Sequence, residues 1–298
     1  MAVSSLGYIS LVVTDLEQWR SFATGVIGLM PVGDPDTGDR LLLKMDDHPY
    51  RLSVVAGDED RLACAGWEFS GAVDYEAAIA RLEAAGVEVH RGDAEGAGQR
   101  CVTEYASATD PAGNPFELYH GRTACRDDFK SPAGVSHFVT GAMGMGHLVV
   151  PAPNMDETHD FYTEALGFGD SDDLRLPPPA EGAPDQRIIF MHADNPRHHS
   201  LALYNFPVPS GIIHMIFEMP DIDQVGLCLD RAQAAGLPLM GTLGRHCNDR
   251  MLSFYVFGPG GIGVEVGCDG LQIDWSTFTP TVSTQGDVWG HAYAPVGS

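Results

Sequence analysis

The sequence predicts an α+β protein built from two tandem copies of one domain. The chain has 298 residues, 44% of them apolar, and can therefore bury two hydrophobic cores. A unit that begins at Gly7 returns at Gly146, and three later segments also recur, so the sequence contains an internal duplication. Each copy shows several strands and two helices, which fits an α+β fold.

The first recurring unit is an extended segment followed by a capped helix. Residues 7–13 are extended and apolar, and Asp15 with Gln18 forms a capping-box pattern before a helical run. Residues 146–150 repeat the strand, and Asn154 takes the place of the capping aspartate. The unit therefore predicts a strand and then a helix at the start of each copy.

The second helix of each copy is predicted over residues 75–85 and 222–235, where the sequences RLEAAG and RAQAAG match. Two βαβββ modules per domain account for these elements, with curved antiparallel sheets around a cavity and helices outside. The stretch between the copies contains Gly, Ser, Pro and Lys. We place the boundary there, which gives domains at residues 1–135 and 136–298.

The charge balance is acidic, with 41 acidic against 17 basic residues and a net charge of −24. Nucleic acid is a poor partner because its phosphates require clustered Lys and Arg, and anionic membranes are disfavoured too. No apolar run approaches the roughly 18 residues of a membrane span, and the start lacks a signal-peptide pattern, so a soluble, cytoplasmic protein is expected. The six cysteines show no paired spacing and predict free thiols.

The chemically densest stretch is residues 244–255, followed ten residues later by Glu265. Residues 251–257 alternate as a half-buried strand, residues 259–261 predict a turn, and residues 263–267 predict the returning strand. Glu265 stands between two valines. Such a carboxylate faces either solvent or a metal, and solvent is the commoner case when the residue is considered alone.

The duplication distinguishes residues needed for folding from residues with another role. Tyr8 stands in the first copy where the second has His147, and the strand of His214 has a first-copy counterpart without histidine. Glu265 alone keeps its acid, as Glu117. Two imidazoles and a carboxylate on three strands of one domain predict a facial triad, the ligand set of non-haem Fe(II) oxygenases.

Further polar side chains accompany this triad. They can exchange protons or contact a substrate, because imidazole titrates near neutrality and a phenol can donate to an oxygen. The candidates are His199, His246, Asn248, Asp249 and Tyr255. His198 is expected to be structural, and His291 is left unassigned.

Apolar residues near the proposed ligands predict a pocket for a substrate ring. Ordinary core packing accounts for them equally well. The candidates are Val149 or Val150, Phe190, Met191, Ile213 and Met215.

With these residues in view, the sequence resembles the two-domain type I extradiol catechol dioxygenases of the vicinal oxygen chelate superfamily. The resemblance spans nearly the whole chain, and its most specific part is residues 244–255 with Glu265. Within the family it is similar to members that act on 2,3-dihydroxybiphenyl and 1,2-dihydroxynaphthalene. It implies two tandem vicinal-oxygen-chelate, or glyoxalase-like, domains with the metal site in the second.

The resemblance also implies a role for each site residue. The implied ligands of Fe(II), or of Mn(II), which the same donors suit, are His147, His214 and Glu265. His199 would be the acid/base, and His246 and Tyr255 would bond the catechol oxygens. The implied substrate-contacting set is completed by Phe190, Asn248 and Asp249. The implied partners are an aromatic catechol, O2 and further copies of the chain in a homo-oligomer.

Two other functions are compatible with parts of the pattern. A metal-dependent isomerase or lyase of the glyoxalase type resembles this fold but generally uses four protein ligands. A non-catalytic protein that binds an aromatic ligand does not require the triad together with His199, His246 and Tyr255. We therefore favour extradiol ring cleavage.

Overall fold

The computed structural model describes residues 2–33, 38–125, 127–179 and 181–294. In the first copy the strands are β1 Ser5–Val13, β2 Met30–Val32, β3 Arg40–Lys44, β4 Leu52–Ala56, β5 Arg61–Phe69, β6 His90–Arg91, β7 Glu104–Thr109 and β8 Pro115–His120. Its helices are α1 Leu16–Ser21, α2 Ala72–Ala84 and α3 Ala94–Arg100.

In the second copy the strands are β9 Leu148–Pro151, β10 Gly169–Leu176, β11 Gln186–His192, β12 Leu201–Tyr204, β13 His214–Glu218, β14 Leu239–His246, β15 Leu252–Phe257, β16 Gly263–Cys268, β17 Thr281–Ser283 and β18 Asp287–Trp289. Its helices are α4 Met155–Leu166 and α5 Ile222–Ala234. No helix of the described residues is long and apolar enough to cross a membrane.

Each copy forms one sheet from two βαβββ modules, which confirms the predicted fold class. The strand orders are β2-β3-β4-β1-β5-β8-β7-β6 and β17-β10-β11-β12-β9-β13-β16-β15-β14-β18. Most neighbouring strands are antiparallel, as expected, but the last strand of each module lies parallel to the first, for example β1 with β4 and β13 with β16. The helix and the three strands after it bring the chain back in its starting direction.

The first helix of each copy begins differently. Asp15 Oδ1 accepts a hydrogen bond from the backbone N–H of Gln18 at 2.9 Å, and α1 continues directly into a π-helix at Phe22–Ile27. Asn154 makes no side-chain cap. Its amide instead donates to the carbonyl oxygen of Pro111 in the first domain, at 3.0 Å.

Two equivalent hydrogen bonds join the domains. Arg81 in α2 donates from Nε to the carbonyl oxygen of Ala165 near the end of α4, and Arg231 in α5 donates to Val26 near the end of the π-helix, each at 2.8 Å. Carbonyls at a helix end lack intrahelical partners and attract cations. The recurrence of the RLEAAG and RAQAAG arginines thus has a structural cause in this interface.

We propose the boundary between residues 135 and 136 as the division of the chain. Among the described residues from 121 to 140, none belongs to a helix or strand.

Candidate metal centre and active site

Three adjacent strands of the second sheet bring the predicted metal ligands together. His147 immediately precedes β9, His214 opens β13, and Glu265 lies within β16. In the sheet, β13 lies between β9 and β16, and Glu265 pairs with Ile216, two residues after His214. Residues two apart on a strand point to one face, so these side chains leave the sheet on the same side.

The ligand atoms lie close together. His147 Nε2 lies 3.0 Å from Glu265 Oε2 and 3.2 Å from His214 Nε2. His214 Nε2 lies 3.3 Å from Glu265 Oε2. His147 and Glu265 are buried, and His214 is partly exposed. The structure therefore gathers the three residues that the sequence selected.

Burial and contact fix the charges of these groups. Burial pushes the pKa of Glu265 upward, but hydrogen bonds from His147, His214 and His246 outweigh burial and hold that pKa well below its usual range. Burial lowers the pKa of His147 despite its contact with Glu265. An ionised carboxylate and a neutral imidazole are the forms in which these side chains bind a metal.

The geometry fits a divalent metal. Two imidazole nitrogens face each other, and the buried Glu265 Oε1 has only a long contact, 3.5 Å to His246 Nε2, among the described residues. A buried carboxylate oxygen so weakly bonded is costly, and a cation among the three ligand atoms would reduce that cost. Two histidines and one carboxylate also leave coordination positions open for other ligands.

The equivalent place in the first domain has different chemistry. The strand registers place Tyr8 at the position of His147 and Cys64 at the position of His214. Glu117 takes the position of Glu265. Arg100 donates to both carboxylate oxygens of Glu117, with Nε 2.7 Å from Oε2. Tyr8 also donates to Glu117. The chain itself thus supplies the positive partner of this carboxylate, and the other two positions carry no imidazole.

His199 lies beside the triad. Its ring stacks on that of His147 with centroids 4.1 Å apart, and the ring of Phe190 meets it edge-on at 4.7 Å. Burial, with the neighbouring His147 and His198, lowers the pKa of His199 well below its usual value. The imidazole is therefore neutral and can accept a proton. His198 Nδ1 lies 3.1 Å from His199 Nδ1.

Tyr255 and His246 form a hydrogen-bonded pair next to the triad. His246 Nε2 lies 2.6 Å from the Tyr255 hydroxyl, and its Nδ1 lies 2.8 Å from Asp287 Oδ1. Burial lowers the pKa of His246, but Asp287 and Glu265 outweigh burial and raise that pKa well above its usual value. A protonated His246 donates from both nitrogens, so Tyr255 keeps its own proton to donate elsewhere.

Sequence reasoning missed Asp287 and left His291 unassigned. His291 Nδ1 lies 2.6 Å from Asp287 Oδ1, and its Nε2 lies 2.9 Å from the carbonyl oxygen of Ser253. Both residues belong to the C-terminal segment that folds back along β14. No local sequence pattern signals this approach, which Gly244 permits because a Cβ there would lie 2.5 Å from the backbone nitrogen of His291.

The turn after His246 uses its polar side chains internally. Asn248 Oδ1 accepts from the backbone N–H of Asp249 at 2.8 Å, and Asp249 Oδ1 accepts from the N–H of Met251 at 2.9 Å. Asp249 Oδ2 also lies 3.9 Å from His199 Nδ1. The turn therefore connects the position of His246 with that of His199.

Only some of the residues expected to line the pocket for a substrate ring lie outside the main hydrophobic core. Three of the candidates pack in the main hydrophobic core, namely Val150, Met191 and Met215. Alternate strand residues point to opposite faces, so Phe190, next to Met191, contacts His199 instead. Val149 and Ile213 also lie outside the core cluster.

Two family models match the chain. One, described as the Glyoxalase/Bleomycin resistance protein/Dioxygenase superfamily, matches residues 144–266, and one described as Dihydroxybiphenyl dioxygenase BphC D1 matches residues 6–57. The chain is 40% identical to an iron-dependent extradiol dioxygenase of Rhodococcus jostii (strain RHA1), over 99% of this chain and 98% of the relative. It is 39% identical to a biphenyl-2,3-diol 1,2-dioxygenase of Paraburkholderia xenovorans (strain LB400), over 98% of this chain and 96% of the relative.

Solved structures show the same similarity. BphC, a halotolerant catechol dioxygenase, matches with a TM-score of 0.90 and 32% identity over 98% of this chain and 95% of that chain. The 2,2',3-trihydroxybiphenyl 1,2-dioxygenase of Sphingomonas wittichii strain RW1 matches with a TM-score of 0.86 and 30% identity, over 98% of this chain and 100% of that chain. The family resemblance is thereby confirmed, and the chain belongs to the extradiol ring-cleaving dioxygenases, metal-dependent oxidoreductases of the vicinal oxygen chelate superfamily.

Proposed function

We propose that the protein cleaves bicyclic or polycyclic catechols, of the 2,3-dihydroxybiphenyl or 1,2-dihydroxynaphthalene type, by inserting both atoms of O2 beside the diol. The convergence of His147, His214 and Glu265 between His199 and Tyr255 carries the proposal. Relatives that are named for these two substrate types match most of the chain at 39% and 34% identity. No observation favours the isomerase or the binding protein over this function.

The three ligands would hold Fe(II), with Mn(II) as the alternative that the same donors suit. The name of the iron-dependent relative from Rhodococcus jostii supports Fe(II). When bound, the metal would hold catechol and O2 side by side and pass electrons between them. We propose that only the second domain binds a metal, since Arg100 already neutralises Glu117 in the first.

His199 is proposed as the acid/base. It is neutral because of burial, and none of the described residues hydrogen-bonds its Nε2. This nitrogen can therefore take a proton from a catechol hydroxyl and return it to an oxygen of the opening ring. Stacking on His147 holds the imidazole next to the reacting atoms.

Tyr255 and His246 are proposed to bond the catechol oxygens. Protonated His246 donates to the Tyr255 oxygen, and Tyr255 then directs its own proton toward an oxygen of the bound diol. Asp287 fixes the orientation of His246 through Nδ1. Charge that develops on the diol as it ionises is thus met by a donor already in place.

Phe190 is proposed to contact the substrate ring, because its edge-on packing against His199 places an aromatic surface next to the acid/base. Asn248 and Asp249 are proposed to border the substrate through the turn that positions His246.

We also propose that the chain forms a homo-oligomer. Large apolar side chains are exposed near the C-terminus, and such patches mark contact surfaces. They are Val282, Val288, Trp289 and Tyr293. Light scattering during size-exclusion chromatography measures the mass directly.

The proposed compartment is the cytoplasm, supported by six free cysteines.

The activity is tested by anaerobic reconstitution with Fe(II) and addition of 2,3-dihydroxybiphenyl or 1,2-dihydroxynaphthalene in air. O2 uptake and the absorbance of the ring-opened acid are recorded together. We expect turnover in the wild type and none in His147→Ala. The matched control is Tyr8→Phe, at the equivalent position of the first domain, which should retain turnover. A metal-loaded enzyme that consumes no O2 with either catechol would show that the proposed substrate class is wrong.

A further inference from the structure

The first domain contains a cavity of about 630 Å³ that the reaction above does not use. This volume lies within the roughly 300–1,000 Å³ of small-molecule sites. Tyr8, Cys64 and Glu117 line the cavity, so it lies on the face of the first sheet that corresponds to the metal-binding face of the second. The duplicated fold has thus kept a cavity where it has lost the metal ligands.

Polar and apolar residues both line this cavity, and one part of its wall is aromatic. The rings of Tyr8 and Tyr50 lie 5.5 Å apart, and Val55 also lines the cavity. The hydroxyl of Tyr50 is buried and has no hydrogen-bond partner among the described residues. Gly66 leaves room for this aromatic surface, since a Cβ there would lie 2.5 Å from the Tyr8 ring.

One cation in the wall has no anionic partner among the residues that the structure describes. Arg40 donates from Nε to Ser53 Oγ at 2.9 Å and from Nη1 to the carbonyl oxygen of Gln99 at 3.4 Å. Its guanidinium lies over the ring of Tyr50, 5.4 Å from the centroid. Within the described ranges no carboxylate pairs with Arg40, and its Nη2 carries no hydrogen bond. Such a group binds carboxylates.

The other charged groups of the cavity are already paired or lie at its rim. Arg100 is bonded to Glu117 through both carboxylate oxygens. Glu88 and His90 are exposed at the edge, with His90 Nε2 3.6 Å from Glu88 Oε1. The inner wall therefore presents Arg40 as its available charge, in a chain whose net charge of −24 otherwise repels anions.

We propose that this cavity binds an aromatic carboxylate, with the carboxylate on Arg40 and the ring against Tyr8 and Tyr50. The volume accommodates a bicyclic acid, and the buried Tyr50 hydroxyl adds a potential donor. Paired Arg100 and Glu117 form part of the wall. This binding site is separate from the metal centre and does not depend on which catechol the enzyme cleaves.

The experiment is calorimetric titration of 2-naphthoate into the anaerobic, iron-loaded enzyme. We expect saturable binding that Arg40→Gln weakens at least about tenfold, because a charged hydrogen-bond pair is lost. The uncharged amide of the same shape, 2-naphthamide, should bind the wild type more weakly by a similar factor. Arg175→Gln is the matched control, because Arg175 is exposed in the second domain and paired with Asp173; it should bind 2-naphthoate as the wild type does.

Ala63→Phe provides a second, independent variant, since Ala63 lines the cavity and the larger side chain would fill part of it. It should also weaken binding, and it carries the test if Arg40→Gln does not fold. Both variants should keep catechol turnover, so failure of this proposal is distinguishable from failure of the proposed function. Undetectable binding would overturn the proposal. Equal affinity of the wild type, Arg40→Gln and Ala63→Phe would also overturn it, because binding at the metal centre would give that result.

Discussion

The carboxylate of Asp287 is expected to set the activity of Tyr255 without touching the substrate. Asp287 Oδ1 bonds His246 Nδ1 at 2.8 Å, and His246 Nε2 reaches the Tyr255 hydroxyl at 2.6 Å. Asp287→Asn keeps the size of the side chain but removes its charge. His246 then loses the partner that orients it, and Tyr255 loses a fixed donor.

The size of the effect follows from this geometry. A hydrogen bond between charged groups contributes ~1.5–3 kcal/mol. The Asp287 side chain is 21% exposed, so solvent screens part of the interaction and we take the lower end, ~1.5 kcal/mol. If the whole of this is lost from the transition state, kcat falls about tenfold.

The assay is kcat at saturating catechol and O2 for wild type, Asp287→Asn, Tyr255→Phe and the double variant. Because Asp287 acts through Tyr255, the double variant should be no slower than the slower single variant. Asp170→Asn is the control, since it removes a 2.8 Å carboxylate–imidazole contact to His159 outside the site and should leave kcat unchanged. An unchanged kcat in Asp287→Asn, or losses that add in the double variant, would refute this reasoning.

Two further predictions concern stability. Arg81→Ala and Arg231→Ala should each lower the free energy of unfolding in urea by ~1.5–3 kcal/mol, because each breaks a charged hydrogen bond between the domains. The control is Arg175→Ala, which removes an exposed side chain and should lower that free energy by less than ~1 kcal/mol. Equal effects of all three substitutions would contradict the role of the interface. The hydrogen bond that His159 donates to Asp170 raises the pKa of His159 above its usual value. The stability that this bond adds is therefore present below about pH 6 and is lost as pH rises through the folded pKa. Asp170→Asn should therefore lower the thermal midpoint at pH 5.5 and have a smaller effect at pH 8.5, and a larger effect at pH 8.5 would contradict the assignment.

The duplicated fold and the grouping of the three candidate metal ligands could be predicted because the two copies of the domain can be compared with each other. His147 and His214 stand where the first copy has Tyr8 and a strand without histidine, and the structure identifies Cys64 as the residue opposite His214. A repeated fold tolerates such differences only where side chains serve something other than the core. Helix α5 begins at the predicted residue 222 and ends one residue before the predicted 235, whereas α2 begins three residues before the predicted residue 75.

The remainder depends on contacts between residues far apart in sequence. Asp287 and His291 reach the site only because the C-terminal segment packs against Gly244, which no local pattern specifies. Met191 and Met215 are apolar and adjacent to site residues, yet strand alternation places both in the core. Likewise, Asn154 matches a capping residue in sequence but donates to Pro111 across the domain interface.

We propose that one glutamate of the duplicated pair, Glu265, binds the metal and that the other, Glu117, does not. The most direct measurement is iron content per chain after anaerobic loading and dialysis, compared for wild type, Glu265→Gln and Glu117→Gln. We expect iron in the wild type and in Glu117→Gln, because Glu117 is bonded to Arg100. We expect almost none in Glu265→Gln, because His147 and His214 then lack the carboxylate ligand. Iron retained in Glu265→Gln, or lost from a folded Glu117→Gln, would contradict the proposal.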